Sequence, residues 1–360
     1  MRENKEKLKG AQSDTLRLTK RELNLGRNDK NSRKSEGYWS QRILPKIADK
    51  LMTAYTVHGD LQHLQGGDLP SKQRIIEILN DIMTILFPNL LGDTSLKETN
   101  IWYFLGSTMH SLRTRLEEEI TKSLKYVCRN EKECPIDICK EKAQKVAEDL
   151  IECLPEIKRR ISADMQAAYE GDPAAKSLEE VILSYPCTYA IATYRVAHEL
   201  YDREVPIIPR MMSEHAHSLT GIDIHPGAKI GTNFFIDHGT GVVIGETTEI
   251  GNNVRIYQGV TLGGKSLSRE EISRLRGKKR HPTIEDDVII YSGATILGTG
   301  TVIGKGSIIG GNVWITSSIP PNTTVTIAPP KLTARAHKSE NENETILTNE
   351  HNGRKMTKRD

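Results

Sequence analysis

Between residues 224 and 315 an aliphatic side chain returns at every sixth position, with short slips and one long interruption. A period of six matches neither the 3.6-residue period of a helix nor the two-residue alternation of an isolated strand. It is typical of a parallel β-helix, in which short strands stack coil upon coil and the repeated aliphatic residues fill the interior. The predicted interior residues, here called the anchors, are Ile224, Ile230, Ile236, Ile244, Ile250, Ile256, Leu262, Ile284, Ile290, Ile296, Ile303, Ile309 and Ile315.

The preceding sequence carries a different pattern. From about residue 40 to residue 212, apolar residues recur at steps of three and four, which is the period of an amphipathic helix. Pro88 closes the first stripe and Pro186 marks a later break, because proline interrupts a helix. The clearest stripes contain Ile75, Ile78, Leu79, Ile82, Ile85 and Leu86; Leu112, Leu116, Ile120, Leu124 and Val127; and Val146, Leu150, Ile151, Leu154 and Ile157. We therefore predict an all-α module ahead of the β-helix, with a turn at Gln65 to Pro70.

Together the two patterns predict an α+β chain in four parts. Residues 37–215 are predicted to form an α-helical domain, and residues 216–330 a parallel β-helix domain of hexapeptide repeats. Residues 1–36 are rich in Lys, Arg, Asn and Ser, so we predict a disordered basic arm. Residues 331–360 are mostly polar and follow a pair of prolines, which predicts a flexible tail.

The composition argues against several classes of protein. The chain has 360 residues and a formal net charge of only +3, which gives no support to nucleic-acid binding. No run of about 18 apolar residues exists, and the first ten residues lack an apolar core, so we expect neither a membrane span nor a secretory signal. Five cysteines lack zinc-type spacing, which indicates reduced thiols and a cytoplasmic location.

One long interruption of the repeat lies between Leu262 and Ile284. It begins with Gly263-Gly264-Lys265 and then carries Arg269, Arg274, Arg276, Lys278, Lys279 and Arg280. A β-helix can expel such a segment as a loop without disturbing its interior, and loops on rigid scaffolds often hold binding groups. Two interpretations stay open: a solvated surface excursion, or a positively charged flap beside an anionic ligand.

Three polar clusters break the repeat: Asp223 to Pro226, Asp237 to Gly241, and Arg280 to Pro282. Histidine is the usual general base near neutral pH, because its unperturbed pKa is about 6.5. A carboxylate on the second ring nitrogen would fix the tautomer and stabilise the imidazolium. A lone histidine at a corner more often makes a structural hydrogen bond, and His225 is not assigned a role. His238 stands with a carboxylate, a hydroxyl and three glycines nearby, so we predict that it is functional.

Four segments of the chain resemble a known family closely. They are Asp223–Gly231, Ile236–Thr247, Gln258–Gly264 and Arg280–Pro282. Together they resemble serine O-acetyltransferases, which belong to the hexapeptide-repeat acyltransferases. The similarity covers about residues 178–321, with weaker matches back to residues 171–174. The resemblance implies a left-handed β-helix and an enzyme that transfers the acetyl group of acetyl-CoA to L-serine, the first step of cysteine biosynthesis.

The same resemblance implies roles for individual residues. His238 would remove the proton from the serine hydroxyl, and Asp223 would orient and support its imidazole. Asp172 and Asp237 would bind the ammonium group of serine. The carboxylate of serine would be bound by Arg280 with His281. A zwitterion needs one anionic and one cationic end of its pocket, and an arginine can bind a carboxylate through two parallel hydrogen bonds.

For the acetyl donor, the resemblance implies a site in the groove between neighbouring β-helices. The backbone N–H of Gly264 would donate to the thioester oxygen, and acetyl-CoA would lie near Ser292 and Gly311. The transfer would be direct, without a covalent enzyme intermediate and without a metal. We also expect a homotrimer or a dimer of trimers, with active sites formed between subunits, because members of the family usually pack in this way.

In three places the chain departs from the usual pattern of the family. The loop after Gly264 is longer and more charged, so a role for Lys265 as a coenzyme ligand is uncertain. The N-terminal helical region is longer than the family's minimum. The sequence ends in Arg359-Asp360 rather than in the isoleucine with which some members dock into cysteine synthase, so we do not predict that mode of docking.

Three alternatives stay open at this point. The same fold could serve an acetyltransferase with a different hydroxyl acceptor, such as a sugar. It could also be a zinc hydratase resembling γ-class carbonic anhydrases, with His225, His238 and His281 as ligands. That reading would leave the paired aspartates and Arg280 unexplained. A non-catalytic β-helix used only for assembly is disfavoured, because it has no need for this polar set.

Overall fold

The computed structural model describes residues 38–57, 69–92, 95–128, 136–265 and 277–328, and two short strands at 334–335 and 346–347. The chain divides into two compact units, residues 1–67 and residues 68–360. The predicted arm, most of the predicted turn at 65–70, most of the charged excursion and most of the predicted tail lie outside the described residues. The predictions for these segments therefore stay predictions.

In the first unit, the described residues form one helical segment. A π-helical turn, Trp39–Ile43, leads into α1, Leu44–Val57. Apolar side chains along this segment are exposed, among them Trp39, Ile47 and Leu51, which stand four or more residues apart on the helix.

In the second unit, the described residues ahead of the strands form six helices. They are α2, Lys72–Leu86; α3, Ile101–Cys128; α4, Ile136–Gly171; α5, Leu178–Ser184; α6, Pro186–Asp202; and α7, Ile208–Thr220. Ser71 caps α2 by accepting a hydrogen bond from the N–H of Arg74. Pro186 is the first residue of α6, where its missing N–H costs nothing, and this separates α5 from α6 as predicted. None of the helices among the described residues is both long enough and apolar enough to span a bilayer.

Each predicted helical stripe lies on the buried face of one helix. Ile78, Leu79 and Ile82 of α2 are fully buried, as are Leu112, Leu116 and Ile120 of α3 and Leu150 of α4. Val127, at the end of the second stripe, is instead half exposed. The prediction of an α-helical module is confirmed, since these faces pack together into one apolar core.

The change from helix to strand occurs at Gly221. This residue has a φ of +71°, and its N–H donates to the carbonyl of His217, which ends α7. The first strand begins two residues later, at Asp223. Helical residues therefore extend to 220, beyond the predicted boundary at 215–216. The helices from residue 68 onward and the strands belong to one compact unit, so the four-part division stays a prediction.

Fourteen short strands then wind into the predicted parallel β-helix. They are β1, Asp223–Ile224; β2, Lys229–Ile230; β3, Phe235–Asp237; β4, Val243–Ile244; β5, Glu249–Ile250; β6, Arg255–Tyr257; β7, Thr261–Gly263; β8, Thr283–Ile284; β9, Ile289–Ile290; β10, Thr295–Leu297; β11, Val302–Ile303; β12, Ile308–Ile309; β13, Trp314–Ile315; and β14, Thr324–Val325. Their order is β1-β4-β7-β10-β13 in the first sheet, β2-β5-β8-β11 in the second and β3-β6-β9-β12-β14 in the third. Two further strands, Ala334–Arg335 and Ile346–Leu347, pair with each other in antiparallel fashion.

All thirteen anchors are at most 6% exposed, which confirms the period of six as the signature of the interior. Except for the last anchor of each sheet, every anchor pairs with the anchor of the next coil, for example Ile236 with Ile256 and Ile256 with Ile290. Aliphatic side chains thus stack in three inner columns, one for each sheet. At about 25 cal/mol for each Å² of apolar surface buried, these columns supply the main stabilisation of the β-helix.

The register of the first sheet is kept although the coils differ in length. Asp223, Val243, Thr261, Thr295 and Trp314 stand in one outward column. Successive members are 20, 18, 34 and 19 positions apart along the chain, as their residue numbers show. The step of 34 residues, from Thr261 to Thr295, contains the long interruption of the repeat. The extra residues therefore lie in the bends between strands and do not change the pairing of the strands.

A buried ion pair joins the helices to the first coil. Arg195 of α6 and Asp164 of α4 are 3% and 0% exposed, and the guanidinium donates to both carboxylate oxygens at 3.1 Å. Arg195 also donates to the carbonyl oxygens of Ile230 and Gly231, while Asp164 accepts from the N–H of Phe234 at 2.9 Å. These bonds fix the first coil relative to the two helices that carry it.

Candidate active site

The predicted site residues lie at two corners of the β-helix, on either side of the first sheet. We call residues 238–242, together with the equivalent bends of the other coils, the entry corner, because the chain passes through these bends immediately before each strand of the first sheet. We call residues 245–248, together with the equivalent bends of the other coils, the exit corner, because the chain passes through these bends immediately after each strand of the first sheet. From Gly241 to Gly245 the backbone advances four residues, through β4, so the backbones of the two corners are about 13 Å apart at about 3.3 Å per residue.

His238 stands at the entry corner with an unusual backbone conformation. Its φ is +58°, a region that non-glycine residues seldom occupy. Gly239 follows so closely over Ile222 that an added Cβ would lie 2.4 Å from its Cδ1. The imidazole itself is 72% exposed, and its Nε2 lies 3.8 Å from Oδ1 of Asp237. An exposed imidazole held on a strained corner is available to a substrate.

Asp223 lies beside this corner on the adjacent coil. Its N–H donates to the carbonyl of Val242 at 2.9 Å. Its carboxylate faces α7, where Oδ1 lies 3.9 Å from Nη1 of Arg210. Both Asp223 and His238 are described, and the structure shows no hydrogen bond or ion pair between their side chains. The structure thus brings the two residues to one corner, and their pairing stays a prediction.

Asp237 is a buried carboxylate with a strong partner. It is 8% exposed, and its Oδ2 accepts a hydrogen bond from Nη2 of Arg255 at 2.7 Å. The guanidinium of Arg255 lies over two aromatic rings, 5.0 Å from the centroid of Phe235 and 4.7 Å from that of Tyr257. Asp237 therefore sits between the guanidinium and the catalytic candidate His238.

Asp172 reaches the same place from the end of α4. Its Oδ2 accepts from the hydroxyl of Tyr185, and its Oδ1 accepts from the N–H of Ala174 at 2.8 Å. The hydrogen bond from Tyr185 is the main cause that lowers the pKa of Asp172, and the hydrogen bond from the N–H of Ala174 and the charge of Arg255 contribute. The same bond raises the pKa of Tyr185 to about 12.

The neighbouring residue confirms how close these elements are. A Cβ added to Gly171 would lie 2.9 Å from the ring of Phe235 and 3.5 Å from Nη1 of Arg255. The structure therefore brings Asp172, Asp237 and His238 together, and their roles toward serine stay predictions. It adds Arg255, an outward-facing residue of β6 that the sequence analysis missed.

At the exit corner, Arg280 is held by a carboxylate that the sequence analysis did not single out. Its Nη2 donates to Oε2 of Glu246, whose Oε1 accepts from the hydroxyl of Tyr201 at 2.7 Å. Burial acts to raise the pKa of Glu246, but these two hydrogen bonds lower it overall. In the described part of the chain, Nη1 of Arg280 is buried without a hydrogen-bond partner. One arm of the guanidinium is therefore fixed by Glu246, and the other has no hydrogen-bond partner within the described residues.

His281 lies beside Arg280 and is 8% exposed. Its Nδ1 accepts a hydrogen bond from the N–H of Thr247 at 3.0 Å, which assigns the ring proton to Nε2. Burial, and then the charge of Arg280, lower the pKa of His281 to about 4, so the ring is a neutral donor at physiological pH. Its Nε2 lies 3.9 Å from the Cβ position of Gly264, which places these two predicted residues together.

The two residues predicted to lie near acetyl-CoA occupy the entry corner. The carbonyl of Ser292 accepts from the N–H of Asn312 at 2.9 Å, and Gly311 packs against the same carbonyl. Ser292 and Gly311 therefore lie on the edge of the β-helix that carries His238, whereas Gly264 lies on the opposite edge of the first sheet. Within one protomer the predicted site is divided into two parts.

A zinc centre built from three histidines finds no support in the described geometry. The one group with metal-ligand spacing among the described residues is Glu214, His217 and Asp223, and the guanidinium of Arg210 contacts two of its three members. Neither His238 nor His281 belongs to it. The Nδ1 of His225 already accepts a hydrogen bond from the N–H of Gly227, and burial lowers the pKa of this histidine.

Comparisons with known proteins identify relatives of this chain. No protein-family model matches the chain. A plasmid-encoded serine acetyltransferase of Synechococcus elongatus is 48% identical over 263 residues, which cover 72% of this chain and 82% of that protein. A serine acetyltransferase of Bacillus licheniformis is 52% identical over 141 residues, 39% of this chain and 62% of that protein. Among solved structures, serine acetyltransferase 1 of Entamoeba histolytica, in complex with L-cysteine, is 40% identical with a TM-score of 0.60, and the match covers 69% of this chain and 86% of that chain.

Proposed function

This chain belongs to the serine acetyltransferase family, and from that premise we propose that it transfers the acetyl group of acetyl-CoA to the hydroxyl of L-serine. The products are O-acetyl-L-serine and CoA, and the reaction is the first step of cysteine biosynthesis. The observation that carries the proposal is the entry corner, where two carboxylates surround an exposed imidazole on the β-helix.

The entry corner suits the amino end of serine and the proton transfer. Asp172 and Asp237 receive the ammonium group, while His238 takes the proton from the hydroxyl. The hydroxyl oxygen then forms a bond to the thioester carbon, and the tetrahedral intermediate collapses with release of the CoA thiolate, which takes the proton from the imidazolium. Asp223, on the adjacent coil, would orient the imidazole in this step.

The exit corner suits the carboxylate of serine and the developing oxyanion. Nη1 of Arg280 and the Nε2–H of His281 are donors toward a carboxylate. The N–H of Gly264 would donate to the thioester oxygen; removal of one such donor costs about 3–4 kcal/mol in other acyl-transfer sites.

The separation of the two corners supports an active site shared between protomers. Serine is a single small molecule, whereas the backbones of the two corners lie about 13 Å apart across the first sheet, which favours a pocket that combines the entry corner of one protomer with the exit corner of another. We therefore propose that Arg280 and His281 of one protomer act with His238 of another, in a homotrimer or a dimer of trimers. Acetyl-CoA would lie along the groove between them, near Ser292 and Gly311.

Two further proposals depend on the same function. The enzyme acts in the cytoplasm. The reaction needs no metal, because an imidazole and fixed donors suffice for direct acyl transfer.

An assay of CoA release against a panel of hydroxyl acceptors tests the proposal. We expect release to depend on L-serine and not on sugars. The His238→Ala variant should lose about 10²–10⁴-fold in rate, as expected for a general base. The control is His110→Ala, since His110 is exposed on α3 and far along the chain from both corners. Preference for another acceptor, or full activity of His238→Ala, would overturn the mechanism.

A further inference from the structure

We propose that Arg255 is a positioning residue for the acetyl-transfer reaction, which sets the carboxylate of Asp237 for the ammonium group of serine. This inference rests on the proposed function, because it concerns the same pocket. It assigns a role to a residue outside the polar clusters of the sequence, on the outward face of β6.

The geometry fixes the guanidinium tightly. Arg255 lies between the rings of Phe235 and Tyr257, 5.0 and 4.7 Å from their centroids, and its side chain is 25% exposed. Tyr257 in turn stacks on Tyr291 of the next coil, with 5.0 Å between centroids. The guanidinium therefore has little freedom, and its 2.7 Å bond fixes one oxygen of Asp237.

The bond also decides which oxygen of Asp237 faces the reactants. Oδ2 is taken by Arg255, and Oδ1 points toward His238, with 3.8 Å to Nε2. Without Arg255, the buried carboxylate would lose its charged donor, and its Oδ1 would still face Nε2 of His238 at 3.8 Å. A closer contact with Asp237 would draw His238 away from the serine hydroxyl.

The net charge of the pocket gives an independent reason. Asp172 and Asp237 together carry two negative charges, whereas the ammonium of serine carries one positive charge. Arg255 supplies the compensating charge, and its positive potential also reaches Asp172, whose pKa it helps to lower. With Arg255, the pocket has a net negative charge of one, which matches the single positive charge of the ammonium group. Two carboxylates without Arg255 would leave one negative charge uncompensated.

Arg255 does not bind the carboxylate of serine in this arrangement, because it lies on the ammonium side with both aspartates. This separates its role from that proposed for Arg280. L-serinamide distinguishes the two roles, since it keeps the ammonium and hydroxyl groups and lacks the carboxylate.

The test compares Arg255→Met and Arg255→Lys with Arg203→Met in the 360-residue chain. Arg203 is a matched control: its side chain is 23% exposed and pairs with Glu199 of α6, but it lies just after the end of that helix, outside the pocket. We expect Arg255→Met to raise the KM for L-serine and for L-serinamide by the same factor, about tenfold to a hundredfold, as displaced binding groups do. The kcat should fall less than the KM rises, and the KM for acetyl-CoA should not change.

The other variants keep the inference open to refutation. Arg255→Lys retains the charge, so its KM for L-serine and for L-serinamide should rise less than in Arg255→Met. Arg203→Met should leave both of these KM values unchanged. Arg280→Met should raise the KM for serine and spare serinamide. An unchanged KM in both Arg255 variants, or a defect confined to serine, would overturn the positioning role. Absence of serine acetylation by the wild-type protein would instead refute the proposed function itself.

Discussion

Replacement of Arg195 by methionine tests how the helices hold the first coil. The change keeps most of the side-chain volume and removes the guanidinium from a site that is 3% exposed. Asp164 would then be a buried carboxylate whose remaining bond is that from the N–H of Phe234. The carbonyl oxygens of Ile230 and Gly231 would lose a charged donor as well. Removing one partner of a buried ion pair costs about 3–5 kcal/mol, because the other charge stays buried.

A double-mutant cycle separates the pair from its surroundings. Arg195→Met and Asp164→Leu should each lower the free energy of unfolding by about 3–5 kcal/mol. The double variant should be less destabilised than the sum of the two by about 1–3 kcal/mol, since neither charge is then left alone. Urea unfolding at a fixed protomer concentration measures all three. The control is Arg159→Met, an exposed ion-pair residue whose loss should cost less than about 1 kcal/mol.

The pH dependence gives a second, signed test of the same pair. Burial raises the pKa of Asp164, and the charge of Arg195 is the first influence that opposes this rise. In Arg195→Met the carboxyl group should therefore take up a proton more readily, which removes the uncompensated charge. The destabilisation should then be larger at pH 8 than at pH 5. A loss below about 1 kcal/mol at pH 8, or a fully additive double variant, would refute the reasoning.

Three further predictions concern the β-helix. The pKa of His281 falls from its ordinary value near 6.5 to about 4 on folding, so the unfolded chain binds the proton more readily between these two values. The free energy of unfolding should therefore decrease as the pH falls through that window. Urea titrations should show a smaller decrease in His281→Asn. In Gly245→Ala the new Cβ would lie 2.2 Å from Nε2 of His281, so displacement of the ring should raise the KM for serine and not that for acetyl-CoA in steady-state kinetics. Ile256→Ala should lower the free energy of unfolding by about 2–5 kcal/mol, since its side chain is fully buried, whereas exposed Ile327→Ala should cost less than about 1 kcal/mol in the same titration.

Most of the fold could be predicted because one simple rule governs it. In a parallel β-helix each interior column needs an aliphatic residue once per strand, so the anchors appear in the sequence at a constant spacing. The helical stripes are equally direct, as Ile78 and Ile82 of α2 show. The end of α7 was harder to place, because a glycine at residue 221 and not a change of period terminates the helix.

The candidate site was predicted in part. Asp237 and His238 were found because they break the repeat, whereas Asp172 was implied by the family resemblance alone, and the structure brings the three together. Arg255 gave no such signal, because a charged residue at an outward strand position is ordinarily a solvated one. Its role depends on contacts with rings two positions away and one coil away, which no local pattern records. The separation of Arg280 from His238 follows from the order of strands in the first sheet, and a list of motifs does not contain that order.

The unequal steps of the first sheet have a consequence for how such chains can change. Since the interior columns stay aligned across steps of 18 and of 34 residues, new sequence can enter at a bend without disturbing what lies inside. Gly300, at the bend after β10, has open space where a Cβ would be. A peptide inserted there would extend into solvent while the coils above and below keep their alignment. The bends can therefore accept insertions, whereas the strands cannot.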